Sequence, residues 1–356
     1  MLALGLSLAL VAFITVLAAS IRTSIAGTYR EVVTADLVIE STRGEMLGGL
    51  APDVHHHVMD LPEVAVAART QYGHWKDGDI INALTAVDPD TIDDVTDIQP
   101  IAGTLTAVAD GGVVIAEHVA TERGLGLNDT LPMTFARSGT NALRIVGIIE
   151  DNDARALSTD FLISQTTYER LYTERMDASV FIATADGVSP EAARQAITAA
   201  LADFPTAELR DQQAAIASRT ASIDQILGLV TALLLFTVVM ATLGITNTLA
   251  LSIVERTREL GLLRAVGMTR GQVRAMVRAE SSLLAVLAAV VGLAAGIGFA
   301  ALTVAVFART GTISLVVPAD RILLIGGLAL AAGLLSGLLP ARRAARLPVL
   351  DAVSAR

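Results

Sequence analysis

Four stretches of this sequence run for 20 or more positions without a charged residue: Met1 to Ile21, Gln225 to Val254, Ser281 to Ala308 and Ile322 to Ala341. Crossing the hydrocarbon core takes about 20 apolar residues in a helix. An open backbone has no partner in lipid, so each window is expected to be helical. The chain has 356 residues, 53% of them hydrophobic and a mean hydropathy of +0.59, more apolar surface than a soluble chain of this length needs. The first window lacks the basic start of a signal peptide, because no Lys or Arg precedes Arg22, and its apolar run is too long. It reads as a retained span. The fold class expected is a multi-pass α-helical membrane protein of four transmembrane helices, with an α+β extracytoplasmic domain between helices 1 and 2.

Charge supplies the orientation. Residues 22 to 223 hold 30 acids and 14 bases, whereas residues 255 to 280 carry six Arg and three Glu. The tail after Ala341 is also basic, with Arg342, Arg343, Arg346 and Arg356 against Asp351. Basic short loops stay inside, and long domains translocate whatever their charge. The expectation is residues 22–223 outside, and residues 255–280 and the C-terminus in the cytoplasm. The domains expected are span 1 (1–21), the outer domain (22–223), and a helical unit (224–353).

The outer segment shows short, alternating strand candidates at Ala35 to Glu40, Gly112 to Ala116, Leu143 to Ile149 and Ser179 to Ala183. Helices are expected from Glu117 to Leu125 and, behind Ser189-Pro190-Glu191, to about Ala202. Residues Asp211 to Ala221 have helical composition and are expected to continue into the second span as one rod.

Several chemistries are excluded. Lys76 is the only lysine and is flanked by Trp75 and Asp77, so no nucleotide-binding P-loop exists. No H-E-x-x-H or G-x-S-x-G occurs, and there is no cysteine. His55-His56-His57 reads as a solvated loop rather than a metal site, and Asp88, Asp90, Asp93, Asp94 and Asp97 as a solvated loop or helix start. No catalytic residue, cofactor or metal is expected, and no nucleic-acid partner. The span interiors hold no ionisable group, which argues against a proton- or ion-coupled transporter. A receptor would need a cytoplasmic output domain, and the largest inner loop is 26 residues.

That loop divides in two. Arg270, Arg274 and Arg278 stand four apart and form one helical column suited to lipid headgroups or an acidic surface. Glu255, Arg256, Arg258, Glu259 and Arg264 instead interleave with Leu260, Leu262, Leu263 and Val266, giving a short amphipathic helix up to Gly267, where a positive φ ends a helix. Such a helix either docks in a groove of a soluble partner or lies on lipid. In the spans, Ala288, Gly292, Gly296 and Ala300, and likewise Ala329, Gly333 and Gly337, recur at spacing four, as in closely packed membrane helices. The spacing leaves open whether the contact is within the chain or with another copy.

The stretch Asn247 to Arg270, with Glu255-Arg256-Thr257-Arg258-Glu259-Leu260-Gly261 and Arg264-Ala265-Val266-Gly267 at its centre, resembles the FtsX/MacB-type ABC transporter permease family. Residues Pro340 to Val353 resemble that family's C-terminal signature, and Gly112 to Ile149, more loosely, its periplasmic core domain. The resemblance implies a coupling helix at 255–267 docking on a separately encoded ATPase, with Glu255, Arg256, Glu259, Gly261, Arg264 and Gly267 matching the motif. It also implies a second permease copy or half. The task implied is mechanotransmission to the outer domain, for export, lipoprotein release or control of an extracytoplasmic protein or peptide partner. The other reading is a membrane-anchored signalling or scaffold protein acting without transport. The family usually has a basic amphipathic segment ahead of the first span; here the sequence opens on the span, so the expectation is either a misassigned start or one half of a larger permease with a duplicated unit.

Overall fold

The computed structural model describes residues 2–42, 49–307 and 313–344. The C-terminal signature beyond Ala344, with Arg346 and Asp351, and the tail residue Arg356 lie outside the described residues. The chain divides into two compact units, one built from residues 24–220 and the other from the helical segments before and after it.

The helical unit contains four helices long and apolar enough to cross a membrane. They belong to α1 (Leu2–Val32), α7 (Gln212–Glu255), α9 (Arg270–Phe307) and α10 (Ala319–Ala344). Leu8 and Val11 of α1 pack with Ala289 of α9 and with Ile325 and Ala329 of α10. Arg22 and Asp224, the charges that bound the first two windows, pair at 2.9 Å. Both are substantially exposed, so this pair marks a level in the helices and adds little stability.

The unit of residues 24–220 is an α+β domain around one ten-stranded mixed sheet. In chain order its elements are β1 (Leu37–Ser41), α2 (Pro52–Met59), β2 (Val64–Asp77), β3 (Ile80–Val87), β4 (Pro100–Gly103), β5 (Val113–Ala116), α3 (Glu117–Arg123), β6 (Thr130–Phe135), β7 (Gly139–Ile149), α4 (Asp151–Ala156), β8 (Phe161–Ser164), α5 (Gln165–Leu171), β9 (Ser179–Thr184), α6 (Pro190–Ala200) and β10 (Ala207–Asp211). The strands run β10-β1-β9-β2-β3-β8-β5-β7-β4, and β6 pairs with β2 and β7. The β3–β8 and β5–β7 pairs are parallel; the other pairs are antiparallel.

Two expectations about strands are corrected. They are not all short, since β2 has 14 residues and β7 has 11. Nor do they simply alternate: β1, β5 and β8 are buried at every position. The physical reason is cover on both sides. Leu37 and Ile39 of β1 pack with Val54 and Val58 of α2 and Ala193 and Ile197 of α6, whereas Val38 packs in the larger core with Tyr29, Val32, Ala215 and Ile216. Strands covered on both faces read as unbroken apolar runs.

The histidine run is corrected as well. It sits on α2, not in a loop, because Pro52 occupies the first turn and Val54 and Val58, four apart, bury against the sheet. His55 Nε2 lies 2.8 Å from the Ala67 carbonyl, and burial lowers its pKa below the ordinary value. The acidic run is a loop around a short 3-10 turn, Ile92–Asp94.

Candidate coupling site

The site is built where α7 ends. Glu255 is its last residue, and at Arg256 the backbone leaves the helix (φ −98°, ψ 16°). Thr257 Oγ1 donates back to the Ile253 carbonyl (3.0 Å) and lies 2.8 Å from that of Val254. The chain restarts as α8 (Thr257–Ala265). The expected helix from 255 to 267 is therefore corrected: Glu255 and Arg256 stand before it, at the break.

Gly267 ends the segment at φ +116°, a conformation that side chains other than glycine's resist. The Gly267 N–H donates to the Arg264 carbonyl at 3.1 Å and the Met268 N–H to that of Leu263 at 3.0 Å. The next helix opens with a reciprocal cap. The Thr269 N–H donates to Gln272 Oε1 (2.8 Å), and the Gln272 N–H donates to Thr269 Oγ1 (3.3 Å). Thr269-Arg270-Gly271-Gln272 is the T-x-x-Q pattern of a capping box, a signal present in the sequence and overlooked in it.

One face of α8 is buried and the other carries exposed residues. Leu260 is buried with Ile253, Val273, Val277 and Ala341. Leu262 and Leu263 are about half exposed and Val266 is 88% exposed, beside exposed Glu255 and Glu259. Arg264 is half-buried and Gly261 lies mid-helix. Arg256 approaches Glu280 at 3.8 Å, an exposed pair of little energetic weight. Arg270, Arg274 and Arg278 are exposed along the first turns of α9, with Arg278 Nε donating to the Arg274 carbonyl at 3.3 Å. Leu262, Leu263 and Val266 thus form an exposed apolar patch beside the charged residues of the motif.

The small residues meet partners inside this chain. A Cβ on Gly292 would fall 2.5 Å from the Gly5 carbonyl oxygen of α1, and one on Gly296 would collide with the Ala9 carbonyl oxygen. A Cβ on Gly333 would overlap Ala285, and one on Gly337 the Ser281 hydroxyl, both on α9. The first ladder therefore receives α1 and the second lets α10 approach α9.

At the other end of α7 the structure assembles a buried ion cluster that sequence reading missed. Glu40 of β1, on the strand face shared with Val38, accepts from Arg210 Nη1 of β10 (2.6 Å) and from Arg219 Nη2 of α7 (3.2 Å). Arg210 also donates to Glu208 (2.7 Å), and Arg219 to the Ser158 hydroxyl (3.0 Å). The Arg219 guanidinium lies over the ring of Tyr29 of α1, 4.8 Å from its centroid. Burial by itself lowers the Arg210 pKa, but hydrogen bonds and charges from Glu208 and Glu40 outweigh it and hold the pKa above the usual value. Gln212 Nε2 adds a 3.0 Å bond to the Val33 carbonyl. The last turn of α1 and the first turns of α7 are thus tied to the same strand.

Residues 1–200 match the MacB-like periplasmic core domain, and residues 231–349 match the FtsX-like permease C-terminal domain. The chain belongs to the FtsX/MacB-type ABC transporter permease family. As a member of that family it is a multi-pass membrane permease with an extracytoplasmic domain between its first two spans. Among relatives of this permease, the macrolide export ATP-binding/permease protein MacB 2 of Aeromonas hydrophila is 28% identical over 271 residues, covering 73% of this chain and 39% of that protein. The uncharacterized ABC transporter permease YknZ of Bacillus subtilis is 34% identical over 111 residues, 31% of this chain and 27% of that one. The permease thus spans well under half the length of these two relatives. Among solved structures, the periplasmic region of MacB from Actinobacillus actinomycetemcomitans aligns with a TM-score of 0.40 and 14% identity, covering 53% of this chain and 94% of that one.

Proposed function

We propose that this permease transmits the work of a separate ATPase to its outer domain. The observation that carries the reading is the continuity of α7, one helix of 44 residues with no break between Arg219 and Gln225. At about 1.5 Å per residue it is roughly 65 Å long. It ends at Glu255, where the exposed face of α8 begins, and it starts beside the Glu40 cluster. In this reading α7 carries the displacement from the ATPase side to the outer domain.

In this reading α8 sits in a groove of the ATPase. Leu262, Leu263 and Val266 supply the apolar anchor, and Glu255, Arg256, Glu259 and Arg264 the polar rim. Gly261 and Gly267 shape the segment. Arg270, Arg274 and Arg278 lie against anionic headgroups, so residues 255–280 and the C-terminus are cytoplasmic. A second permease copy completes the assembly, and an extracytoplasmic protein or peptide receives the movement. The name of the Aeromonas relative makes efflux one such task.

The test is co-purification from native membranes, with recovery of a Walker-motif ATPase measured for the wild type and for Glu255→Ala combined with Glu259→Ala. ATPase recovery is expected to fall several-fold in the double variant and to stay level in Arg274→Ala. Equal recovery from the wild type and the double variant removes this face of α8 as the docking contact.

A further inference from the structure

Three ionisable side chains meet at one end of the outer-domain sheet, and the transmission reading uses none of them. β5 and β7 are parallel neighbours, with Ala116 beside Ile149, and each runs almost directly into a helix. The helices α3 and α4 therefore begin at the same end of the sheet. β8 is antiparallel to β5, with Phe161 opposite Ile115, so the residue ahead of β8 arrives there too. The topology thus gathers His118 from the first turn of α3, Asp151 from the first position of α4 and Asp160 from the bend before β8. The Ala116 N–H holds that bend by donating to the Asp160 carbonyl at 3.0 Å.

Asp151 orients the histidine. Its Oδ1 accepts from the His118 backbone N–H (3.0 Å) and lies 2.8 Å from His118 Nδ1, while its Oδ2 faces Arg155 at 3.9 Å. An ionised carboxylate only accepts, so Nδ1 carries the proton of the neutral ring and the lone pair is on Nε2. That nitrogen has Asp160 Oδ2 at 3.7 Å. The gap is too long for a hydrogen bond, and Nε2 makes none among the described residues. Asp160 is 46% exposed and pairs with no Lys or Arg among the described residues.

A protonated His118 shared between the two carboxylates would draw the exposed Asp160 to hydrogen-bond distance, and Asp160 stands back. The separation instead suits two ligands of one ion. Zinc binds imidazole nitrogen at about 2.0–2.1 Å and carboxylate oxygen at about 2.0–2.2 Å, which at tetrahedral angles sets the two donors about 3.4 Å apart. A small movement of exposed Asp160 closes the difference. A nitrogen donor beside one carboxylate favours zinc over calcium, which takes oxygen ligands.

We infer that His118 Nε2 and Asp160 bind a zinc-class divalent ion on the outer domain, with Asp151 as the positioning residue that holds the imidazole. A carboxylate on the far ring nitrogen is the usual support of a metal-binding histidine. Among the described residues no group of three His, Cys, Asp or Glu forms a complete site, so water or a ligand from outside the chain fills the remaining positions. The inference does not depend on the transmission reading.

Zinc itself is the probe. The full chain in detergent, untagged and stripped of metal with a chelator, is titrated with Zn2+ by calorimetry, and Trp75 fluorescence confirms that each variant is folded. The wild type is expected to bind about one ion per chain at a site of this tetrahedral type. His118→Ala and Asp160→Ala each abolish that binding; Asp160, being exposed, is the change the fold tolerates best. Asp151→Asn weakens it about ten- to a hundred-fold, the usual cost of losing such a support. His56→Ala combined with His57→Ala, which strips α2 of its exposed imidazoles, leaves it unchanged. Co2+ in place of zinc gives a visible absorption band in the wild type that His118→Ala lacks. No binding by the folded wild type, equal binding by Asp160→Ala, or loss only in the α2 variant overturns the site. Unchanged affinity in Asp151→Asn overturns the positioning role.

Discussion

Removing the Glu40 carboxylate tests whether the buried ion cluster holds the outer domain together. In Glu40→Ala, Arg210 and Arg219 lose their shared acceptor while their side chains stay only 14% and 16% exposed. Arg210 keeps Glu208, and Arg219 keeps Ser158 and the Tyr29 ring, so part of the deficit is recovered locally. Removing one partner of a buried ion pair costs about 3–5 kcal/mol, and residual contacts place this case at the lower end, about 3 kcal/mol. For a domain the size of residues 24–220, each kcal/mol moves the midpoint by about 2–4 °C, so a drop of roughly 6–12 °C is expected. The assay is thermal unfolding of the detergent-solubilised chain, followed by the fluorescence of its one tryptophan, Trp75, which is buried edge-on against Phe161 in the domain core. Because Glu40 and Arg219 act as one unit, combining Glu40→Ala with Arg219→Ala should cost less than the sum of the single changes. A shift below about 2 °C, or strictly additive effects, would refute the claim that Glu40 is the charge balancing both arginines.

Three further outcomes follow from the same geometry. Gly333→Val drives a branched side chain into Ala285 and should destabilise the α9–α10 contact by about 1–3 kcal/mol, whereas Gly298→Ala, with nothing within 4 Å, should be near neutral; resistance to unfolding in detergent distinguishes them. Gly267→Ala forces a Cβ into φ +116° and should cost about 1–3 kcal/mol locally, read as increased proteolysis between α8 and α9 with the outer domain intact. Asp177 is fully buried, and burial raises its pKa to about 6 despite Arg69 at 3.9 Å and the Gln71 hydrogen bond at 3.2 Å. Its folded pKa exceeds the unfolded one, so its contribution is greatest below about pH 4 and is lost as pH rises through 6, a change of about 3 kcal/mol. Asp177→Asn should remove that share of the decline between pH 4 and 6, leaving the share of Asp153, which burial also raises to about 6; denaturation midpoints across the window measure both.

Local signals were the legible ones. Apolar runs located β1, β5 and β9, and Ser189-Pro190 marked the start of α6, where the Ser189 hydroxyl accepts from the Ala192 N–H at 3.3 Å. The long hairpin of β2 and β3 escaped because Arg69, Gln71, His74 and Lys76 interrupt its apolar pattern; its order comes from cross-strand partners. The α2 helix escaped because three histidines obscure the Val54–Val58 pair that buries it.

The sequence by itself determined the four spans, the polar domain between the first two, and the charged segment between α7 and α9, because transfer of charge and backbone into lipid is costly enough to be read from composition alone. It also displayed the glycine ladders but not their partners. Only the tertiary structure decided that Gly292 and Gly296 receive α1 and that Gly333 and Gly337 face α9. Only the tertiary structure brought Glu40 to Arg210 and Arg219, 170 and 179 residues away. Burial and pairing across such separations depend on which faces the sheet turns inward, and no local pattern along the chain records that.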